Sequence, residues 1–327
     1  MVISKTPYRV SFFGGGTDYP AWYRENGGAV LATTINKYCY ITCRHLPPFF
    51  GHKHRIVWSK IENVKKVSQI KHPAVREILK YLKIKDGIEL HHDGDLPARS
   101  GLGTSSSFVV GLLHALYTLY GTKIDKKRLA EEAIRVEQFI LKNNVGSQDQ
   151  VMAAFGGLNK VTFLPDGQIK TQLVKIAAKR KDDLQRHLML VFTGLTRNAS
   201  DVAGQQIKNI PKKKKELKYL CQLVTEGQKI LEGNDSLEEF GKLLHESWRL
   251  KKSLSDRISS PQIDKIYEVA RKFGAVGGKL LGAGGGGFIL LFAHPDSQKK
   301  IKDKTKKFLH VPFQFEDKGS EIIFSQK

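Results

Sequence analysis

Apolar positions along the chain follow two different periods, and the order of these periods predicts the fold class. Residues 10–13 and 37–44 carry β-branched and aromatic side chains, which favour strands. From residue 106 to residue 120 the apolar side chains instead recur every three or four positions, as in a helix. Further helices are predicted at 73–82, 126–142, 215–231, 237–254 and 261–273, and strands at 87–92, 188–192 and 322–324. Because strands come first, then helices and then a mixture, the pattern predicts an α+β protein rather than a doubly wound sheet.

The composition is that of a folded protein with one large domain or two of ordinary size. Of the 327 residues, 40% are hydrophobic and 26% are charged. No stretch approaches the run of about 20 apolar residues that a membrane span needs. The N-terminal sequence lacks the layout of a signal peptide, and three cysteines are too few and too scattered for a disulfide framework. We therefore expect a cytoplasmic protein with reduced thiols and no membrane partner.

The net charge of +22 is the unusual total of this sequence. Such a charge attracts anions, including nucleotides, sugar phosphates and nucleic acids. The local lysine runs, within 212–215 and 299–307, have no interleaved aromatic residues that would stack on single-stranded bases. Nucleic-acid binding is therefore a minor alternative that only the charge supports. Homodimerisation is left open by the sequence.

A glycine-rich segment before the first long helix carries the strongest chemical signal. It reads PARSGLGTSSS over residues 97–107. Gly101 and Gly103 allow the backbone to turn tightly, and the hydroxyl residues after them lie at a predicted helix start, where free amides favour an anion. The segment lacks the lysine of a Walker A loop and the third glycine of a dinucleotide fingerprint. Taken alone, it fits either a phosphate-binding loop or a well-capped helix.

Two further glycine clusters adjoin apolar segments. Residues 14–18 read GGGTD directly after a predicted strand, where Asp18 can accept hydrogen bonds from sugar hydroxyls or simply cap a hairpin turn. Residues 282–287 read GAGGGG, which indicates close packing against another backbone or a ligand. Each cluster is ambiguous alone, and the order of all three along the chain is the stronger signal.

Together and in this order, the three motifs resemble those of the GHMP kinases, the superfamily of galactokinase, homoserine kinase, mevalonate kinase and phosphomevalonate kinase. The resemblance covers residues 7–292 and includes GSQDQ at 146–150 and GGK at 277–279. Within the superfamily, the sequence resembles the D-glycero-D-manno-heptose 7-phosphate kinases. The resemblance implies a two-lobed α+β fold, with an N-terminal lobe like ribosomal protein S5 domain 2 over residues 1–180 and a ferredoxin-like C-terminal lobe over 181–327.

The resemblance also implies an ATP-dependent sugar kinase that uses Mg²⁺. The residues that it assigns to ATP are Pro97, Arg99, Ser100, Gly101, Leu102, Gly103, Thr104, Ser105 and Ser106. It assigns Ser105 and Glu137 to the metal, and hard oxygen ligands are what an ion bridging the β- and γ-phosphates needs. Glu131 and Glu132 compete with Glu137 on the same predicted helix.

Asp149 and Arg9 are the catalytic pair that the resemblance implies. Asp149 matches the acid beside the acceptor hydroxyl, where it takes the proton or only orients the oxygen. Both roles stay open because a loose phosphoryl-transfer transition state needs little base strength. Arg9 matches the cation that pairs with this acid, and a guanidinium there would hold the carboxylate ionised.

Heptose 7-phosphate is the acceptor that the resemblance implies, with transfer to its anomeric hydroxyl to give the 1,7-bisphosphate. The residues assigned to this acceptor are Gly15, Gly16, Thr17, Asp18, Arg197, Lys279, Gly284 and Gly285. Gly15 and Gly16 replace a Glu-His pair of galactokinases, which argues against galactose. Arg197 is the first candidate for the 7-phosphate because arginine binds phosphate in a bidentate manner, and Lys279 and Arg99 are others. A fucokinase-like sugar 1-kinase is the alternative within the superfamily.

Overall fold

The computed structural model describes residues 1–196 and 199–326, except for the side chain of residue 199. The strands in this part of the chain are β1 (Val2–Phe13), β2 (Gly28–His45), β3 (His54–Val57), β4 (Ile61–Val64), β5 (Ile88–Gly94), β6 (Leu158–Phe163), β7 (Ile169–Leu173), β8 (Leu188–Phe192), β9 (Ala275–Leu280), β10 (Phe288–Ala293), β11 (Leu309–His310), β12 (Phe315–Glu316) and β13 (Glu321–Ser325). They form two sheets; the first lobe is the part of the protein around the sheet of β1, and the second lobe is the part around the sheet of β10.

Helices cover the faces of both sheets. The α-helices are α1 (Pro20–Asn26), α2 (Pro73–Tyr81), α3 (Thr104–Leu119), α4 (Lys126–Arg135), α5 (Gln148–Phe155), α6 (Ala178–His187), α7 (Ala199–Asn209), α8 (Lys214–Glu232), α9 (Leu237–Ser253), α10 (Pro261–Lys272) and α11 (Pro295–Lys304). A π-helical segment, Val136–Ile140, continues α4. None of the helices in the described ranges is long and apolar enough to cross a bilayer.

The first sheet is built on the long antiparallel pair of β1 and β2. Its strand order is β13-β1-β2-β5-β3-β4, with β6 and β12 also pairing with β2, and with β7 next to β6. The helix α3 packs on β1 and β2 and also contacts α4 and α5. Because nearly all sides of α3 are apolar, it can be buried between these layers, and its residues 106–113 are all buried. This buried helix begins at the glycine-rich segment of residues 97–103.

The second sheet has the order β11-β8-β10-β9 and is antiparallel. All six residues of β10 are buried, in accord with their uninterrupted apolar sequence. Helix α9 packs on β9, and α8 packs on α9 and on both β1 and β2. Phe240 of α9 meets the rings of Phe12 and Phe13 edge to face, with centroid distances of 5.2 and 5.0 Å. These contacts hold the second sheet against the end of β1.

The structure confirms the predicted α+β class. It places a strand at Leu188–Phe192 and helices at Leu237–Ser253 and Pro261–Lys272, within one residue of the predicted ends. A boundary near residue 180 stays a prediction. In the structure α6 runs across that position, and β12 and β13 return from the end of the chain to pair with β2 and β1 in the first sheet.

Candidate active site

A cavity of about 570 Å³ opens where the two lobes meet. The first lobe contributes the end of β1, the segment before α3 and the start of α5 to its walls, whereas the second lobe contributes Lys251 of α9 and Lys279 of β9. The cavity therefore collects residues that are far apart in the sequence. Most of the residues that the three glycine motifs predict for a site lie on or beside it.

The segment Pro97–Ser106, called the phosphate loop below, ends at the first turns of α3. Gly103 precedes the helix with a φ of +75°, and Thr104, Ser105 and Ser106 line the cavity. Gly101 has a φ of +80°, and a Cβ there would lie 2.6 Å from the carbonyl oxygen of Leu281. Glycine is thus required at 101 both by backbone conformation and by close approach of the second lobe. The helix start offers unpaired amides to an anion in the cavity.

Arg9 and Asp149 form a bidentate ion pair at the cavity wall. The Nε of Arg9 donates to Oδ1 of Asp149 at 2.7 Å, and its Nη2 donates to Oδ2 at 2.8 Å. The remaining nitrogen, Nη1, donates to the carbonyl oxygen of Gly101 at 2.7 Å. Arg9 is only 4% exposed, so this geometry is fixed by packing as well as by hydrogen bonds. The pair joins the acid at the start of α5 to the phosphate loop.

Glu137 lies beneath the start of α3 and is fully buried. Its carboxylate accepts hydrogen bonds from Ser105 Oγ at 2.8 Å, from Ser106 Oγ and from Gln150 Nε2. These donors are neutral, and burial raises the pKa of the carboxyl above its ordinary value. Among the described residues, no three His, Cys, Asp or Glu side chains form a metal cluster. A carboxylate and a serine hydroxyl nevertheless fit an ion such as Mg²⁺, which takes its other ligands from phosphates and water.

Asp18 is a second buried acid, on the segment that follows β1. It is 3% exposed, lines the cavity, and accepts hydrogen bonds from the Gly16 amide at 3.0 Å and from Gln148 Nε2 at 2.9 Å. Burial, and then the charge of Asp149, raise its pKa. Gly146 leaves room for it, because a Cβ there would lie only 1.8 Å from Oδ2 of Asp18. Asp18 can accept hydrogen bonds from hydroxyls of a ligand.

Two buried lysines of the second lobe reach the same region. Lys279 donates to the carbonyl oxygen of Phe12 at 2.7 Å, and Lys251 donates to the carbonyl oxygens of Leu280 and Gly282. Burial lowers the pKa of both, that of Lys251 to about 7. Each ammonium is therefore poorly compensated, and an anion in the cavity would stabilise its charged form.

An aromatic wall lines another part of the cavity, formed by Trp58, His72, His92 and Phe108. The ring of His72 stacks on Phe108 with a centroid distance of 4.8 Å, and Trp58 meets His72 edge to face at 4.8 Å. Burial lowers the pKa of His72 to about 4, so that its ring is neutral at pH 7. A neutral, flat surface of this kind can hold a planar heterocycle such as a nucleobase.

The structure brings most of the predicted site residues together. Those that line the cavity are Arg9, Gly15, Gly16, Asp18, Arg99, Gly101, Gly103, Thr104, Ser105, Ser106, Asp149 and Lys279. The others assigned from the sequence do not line it, namely Pro97, Ser100, Leu102, Thr17, Glu137, Gly284 and Gly285. Arg197 lies outside the described residues. The roles of all these residues stay predictions.

Two of the predicted positions that lie off the cavity serve backbone packing. Thr17 Oγ1 donates to the carbonyl oxygens of Gly14 and Ala29, so its hydroxyl holds the turn before α1. The amide of Gly285 donates to the carbonyl oxygen of Ile258 at 2.8 Å. In both cases the close neighbour is a segment of backbone.

Sequence patterns did not point to Lys251, the aromatic wall, Ser11 or Gln148. Ser11 Oγ and Gln148 Oε1 are buried at the cavity and have no hydrogen-bond partner among the described residues. A buried polar atom without a partner is costly unless water or a ligand satisfies it. Gln148 stands next to Asp149 within the GSQDQ stretch, and that position was the signal available for it.

A phosphate loop, a fixed guanidinium–carboxylate pair and a buried acid with serine hydroxyls are the parts that phosphoryl transfer needs. Comparison with known families agrees with this chemistry. The model of the GHMP kinases N terminal domain matches residues 66–157, and the model of the GHMP kinases C terminal matches residues 230–311. The two matches together cover more than half of the chain. The chain belongs to the GHMP kinases, and it is a phosphotransferase that acts on a sugar.

Individual relatives agree over nearly the whole length. The D-glycero-alpha-D-manno-heptose 7-phosphate kinase of Campylobacter jejuni is 28% identical over 93% of this chain and 93% of its own. The bifunctional fucokinase/GDP-fucose pyrophosphorylase of Arabidopsis thaliana is 25% identical over 94% of this chain, which is 31% of that protein. A D-glycero-D-manno-heptose 1-phosphate kinase structure from Bacteroides thetaiotaomicron has a TM-score of 0.82 at 25% identity and covers 100% of both chains. The predicted GHMP kinase fold is thereby confirmed.

Proposed function

We propose that the protein phosphorylates the anomeric hydroxyl of D-glycero-D-manno-heptose 7-phosphate with ATP to give the 1,7-bisphosphate. The observation that carries the proposal is the cavity itself, where the phosphate loop and the Arg9–Asp149 pair adjoin an acceptor region with the buried Lys279. Uncompensated positive charge beside the acceptor acid suits a sugar that already bears a phosphate. The similarity to the Campylobacter jejuni kinase supports the same acceptor.

In the proposed reaction the anomeric oxygen bonds to the γ-phosphorus of ATP while the bond to the β,γ-bridging oxygen breaks, and ADP leaves. Asp149 orients the hydroxyl, and the proton passes to its carboxylate or to water. Arg9 holds Asp149 by two hydrogen bonds and so fixes the direction of the acceptor. Ser105 and Glu137 are the protein ligands proposed for Mg²⁺, which when bound offsets the negative charge of the phosphates.

The acceptor's sugar hydroxyls are assigned to Asp18, with Gln148 Oε1 and Ser11 Oγ as further polar partners. The 7-phosphate is assigned to Arg197 and to Lys279. Lys279 donates one N–H to the carbonyl oxygen of Phe12, and its ammonium has two further N–H groups to donate. A phosphate beside it would offset the burial that lowers its pKa.

The second candidate is a fucokinase-like sugar 1-kinase, which the similarity to the Arabidopsis thaliana protein supports. Such an enzyme would use the same phosphate loop and the same Arg9–Asp149 pair, but its acceptor would carry no phosphate. The two functions therefore differ in whether Lys279 meets a phosphate group of the acceptor.

The test is ADP formation from ATP and Mg²⁺ with heptose 7-phosphate, compared with heptose, galactose, fucose and mevalonate. The Asp149→Asn variant serves as the blank. Selective turnover of the 7-phosphate, with a KM for the sugar phosphate that Arg197→Ala or Lys279→Met raises far more than the KM for ATP, supports the proposal. Turnover of free fucose instead would replace it with the second candidate.

A further inference from the structure

Lys251 is the buried cation of the cavity that none of the roles above has used. It lies near the end of α9 and is 5% exposed, whereas its neighbour Lys252 is 37% exposed and pairs with Asp264 at 2.9 Å. The ammonium of Lys251 instead donates to two backbone carbonyls, that of Leu280 at 3.0 Å and that of Gly282. Burying an ammonium on carbonyls alone is costly, so its position calls for a functional reason.

Both carbonyls belong to the segment that supports the phosphate loop from the second lobe. Leu280 ends β9, and Gly282 opens the glycine run 282–287. A Cβ at Gly282 would lie 2.5 Å from the Cα of Gly101, so the two backbones are in direct contact. The Gly101 carbonyl in turn accepts from Arg9, which holds Asp149. A chain of contacts thus runs from Lys251 through the phosphate loop to the catalytic pair.

Four charged groups act on Lys251 from the elements around it. Arg9 of β1 and Lys279 of β9 repel its charge, whereas Asp18, after β1, and Asp149 of α5 attract it. Burial and Arg9 outweigh the two acids, and the pKa of Lys251 falls to about 7. The ammonium therefore loses its proton within the physiological range unless further negative charge enters the cavity.

We propose that Lys251 is a positioning residue, whose ammonium clamps residues 280–282 against the phosphate loop and so keeps the loop in its ATP-binding shape. Loss of the proton weakens both hydrogen bonds to the carbonyls, because charge-assisted bonds are the stronger ones. By linkage, bound triphosphate would in turn hold the proton on Lys251. The inference rests on the proposed placement of the ATP phosphates at this loop and is independent of the acceptor.

The experiment is equilibrium binding of a non-hydrolysable ATP analogue with Mg²⁺ between pH 6 and 9, without any sugar. For the wild type, affinity should fall about tenfold in total as pH rises from below 7 to above 8, since raising the pKa of one group by one unit on binding changes the affinity tenfold between the two limits. Lys251→Arg keeps its positive charge over this range of pH. The part of the fall in affinity that deprotonation of Lys251 causes should therefore be absent in this variant. Lys251→Met should bind about tenfold more weakly at pH 6.5 and show the same flattened profile.

Lys252→Met is the matched control and should reproduce the wild-type curve. Titration of the analogue's own phosphate, with a pKa of about 6, is common to all variants. The difference between two curves of affinity against pH therefore reports the effect of Lys251 alone. An unchanged profile in Lys251→Arg overturns the proposal, as does wild-type affinity in Lys251→Met. If the Met variant does not fold, the Arg variant decides. Because no acceptor is present, a wrong acceptor assignment leaves this result untouched.

Discussion

Asp149 and Glu137 both lie against the start of α3, but their charges are balanced in different ways. Asp149 pairs with the Arg9 guanidinium through two hydrogen bonds. Glu137 is fully buried and accepts only from neutral groups, those of Ser105, Ser106 and Gln150. Burial accordingly raises the pKa of Glu137. The charge of Asp149 is thus balanced by a cation of the protein, whereas Glu137 has no cation among its hydrogen-bond partners.

This difference indicates which part of the site is complete before ligands bind. The Asp149 side is preorganised, because Arg9 fixes the carboxylate that we propose meets the acceptor hydroxyl. The Glu137 side is ready to receive a cation, since a divalent ion would supply the charge that the neutral donors do not. Substitution of each acid should distinguish a carboxylate that acts in phosphoryl transfer, proposed for Asp149, from one that acts through the metal, proposed for Glu137.

The largest effect is expected for Asp149→Asn. The amide keeps the shape of the side chain but removes the charge proposed to orient the acceptor hydroxyl or to take its proton, so kcat should fall by about 10²–10⁴-fold. Affinity for ATP should change little, because Asp149 lies on the acceptor side of the phosphate loop. Steady-state kinetics and analogue binding measure the two quantities separately.

Asp166→Asn, at an exposed acid outside the cavity, is the control for Asp149→Asn. It should retain full activity. Near-normal kcat in the Asp149 variant would remove this residue from the transfer step.

Glu137→Gln should change the requirement for Mg²⁺ more than the acceptor kinetics. Loss of the carboxylate should raise the Mg²⁺ concentration for half-maximal activity by about 10–100-fold, and saturating Mg²⁺ should restore much of kcat. Glu131→Gln, at an exposed acid on the preceding turns, is the matched control and tests the competing assignment. If Glu131→Gln instead showed the increased Mg²⁺ requirement, the assignment of Glu137 would be wrong.

The sequence allowed Asp18, Asp149 and the phosphate loop to be predicted as site residues because each lies in a short, recognisable stretch, whereas Glu137 was assigned through the family resemblance. Lys251 could not be found in this way. It stands beside Lys252 in an amphipathic helix, and only packing against β9 and the glycine run buries one of them and leaves the other half-exposed. The glycine run itself was ambiguous, because glycine permits close approach to a ligand or to another backbone alike. At Gly285 the neighbour is the backbone of Ile258.

Local irregularity and long-range pairing explain the remaining differences from the predicted fold. The helix predicted over residues 126–142 changes at Val136 into a π-helical turn that contains Glu137. The strand β7 was missed because all of its positions are exposed or only half-buried and show no apolar alternation. The strand β12 pairs with residues about 280 positions earlier and β13 with residues about 320 positions earlier, and no local pattern encodes such a pairing.

Gly146→Ala extends the comparison to Asp18, which resembles Glu137 in having neutral donors and a raised pKa. The new methyl group would displace the Asp18 carboxylate, which lies 1.8 Å from the position it would take. We expect kcat/KM for the sugar to fall about tenfold or more, with ATP binding unchanged. Gly51→Ala is the control, since its methyl group would meet nothing within 4 Å. Equal losses of affinity for sugar and ATP would contradict the placement of Asp18 at the acceptor.

The smallest effect concerns stability and follows from the raised pKa of Glu137. The folded state binds the Glu137 proton more tightly than the unfolded chain does, so the wild type loses stability as pH rises above the usual value of 4.5. Glu137→Gln cannot show this loss. In EDTA, the Tm of the variant relative to the wild type should therefore increase between pH 4.5 and 7.5, by about 2 °C for each unit of pKa shift.

Glutamine also leaves one of the three neighbouring donors without an acceptor, but that cost does not change with pH. Thermal unfolding should therefore measure how the Tm difference between Glu137→Gln and the wild type changes with pH, rather than its value at one pH. Saturating Mg²⁺ with the ATP analogue should reverse the trend, because the bound ion stabilises only the charged carboxylate. A Tm difference that stays constant from pH 4.5 to 7.5 would mean that Glu137 is compensated as fully as Asp149, and the contrast between the two regions would be lost.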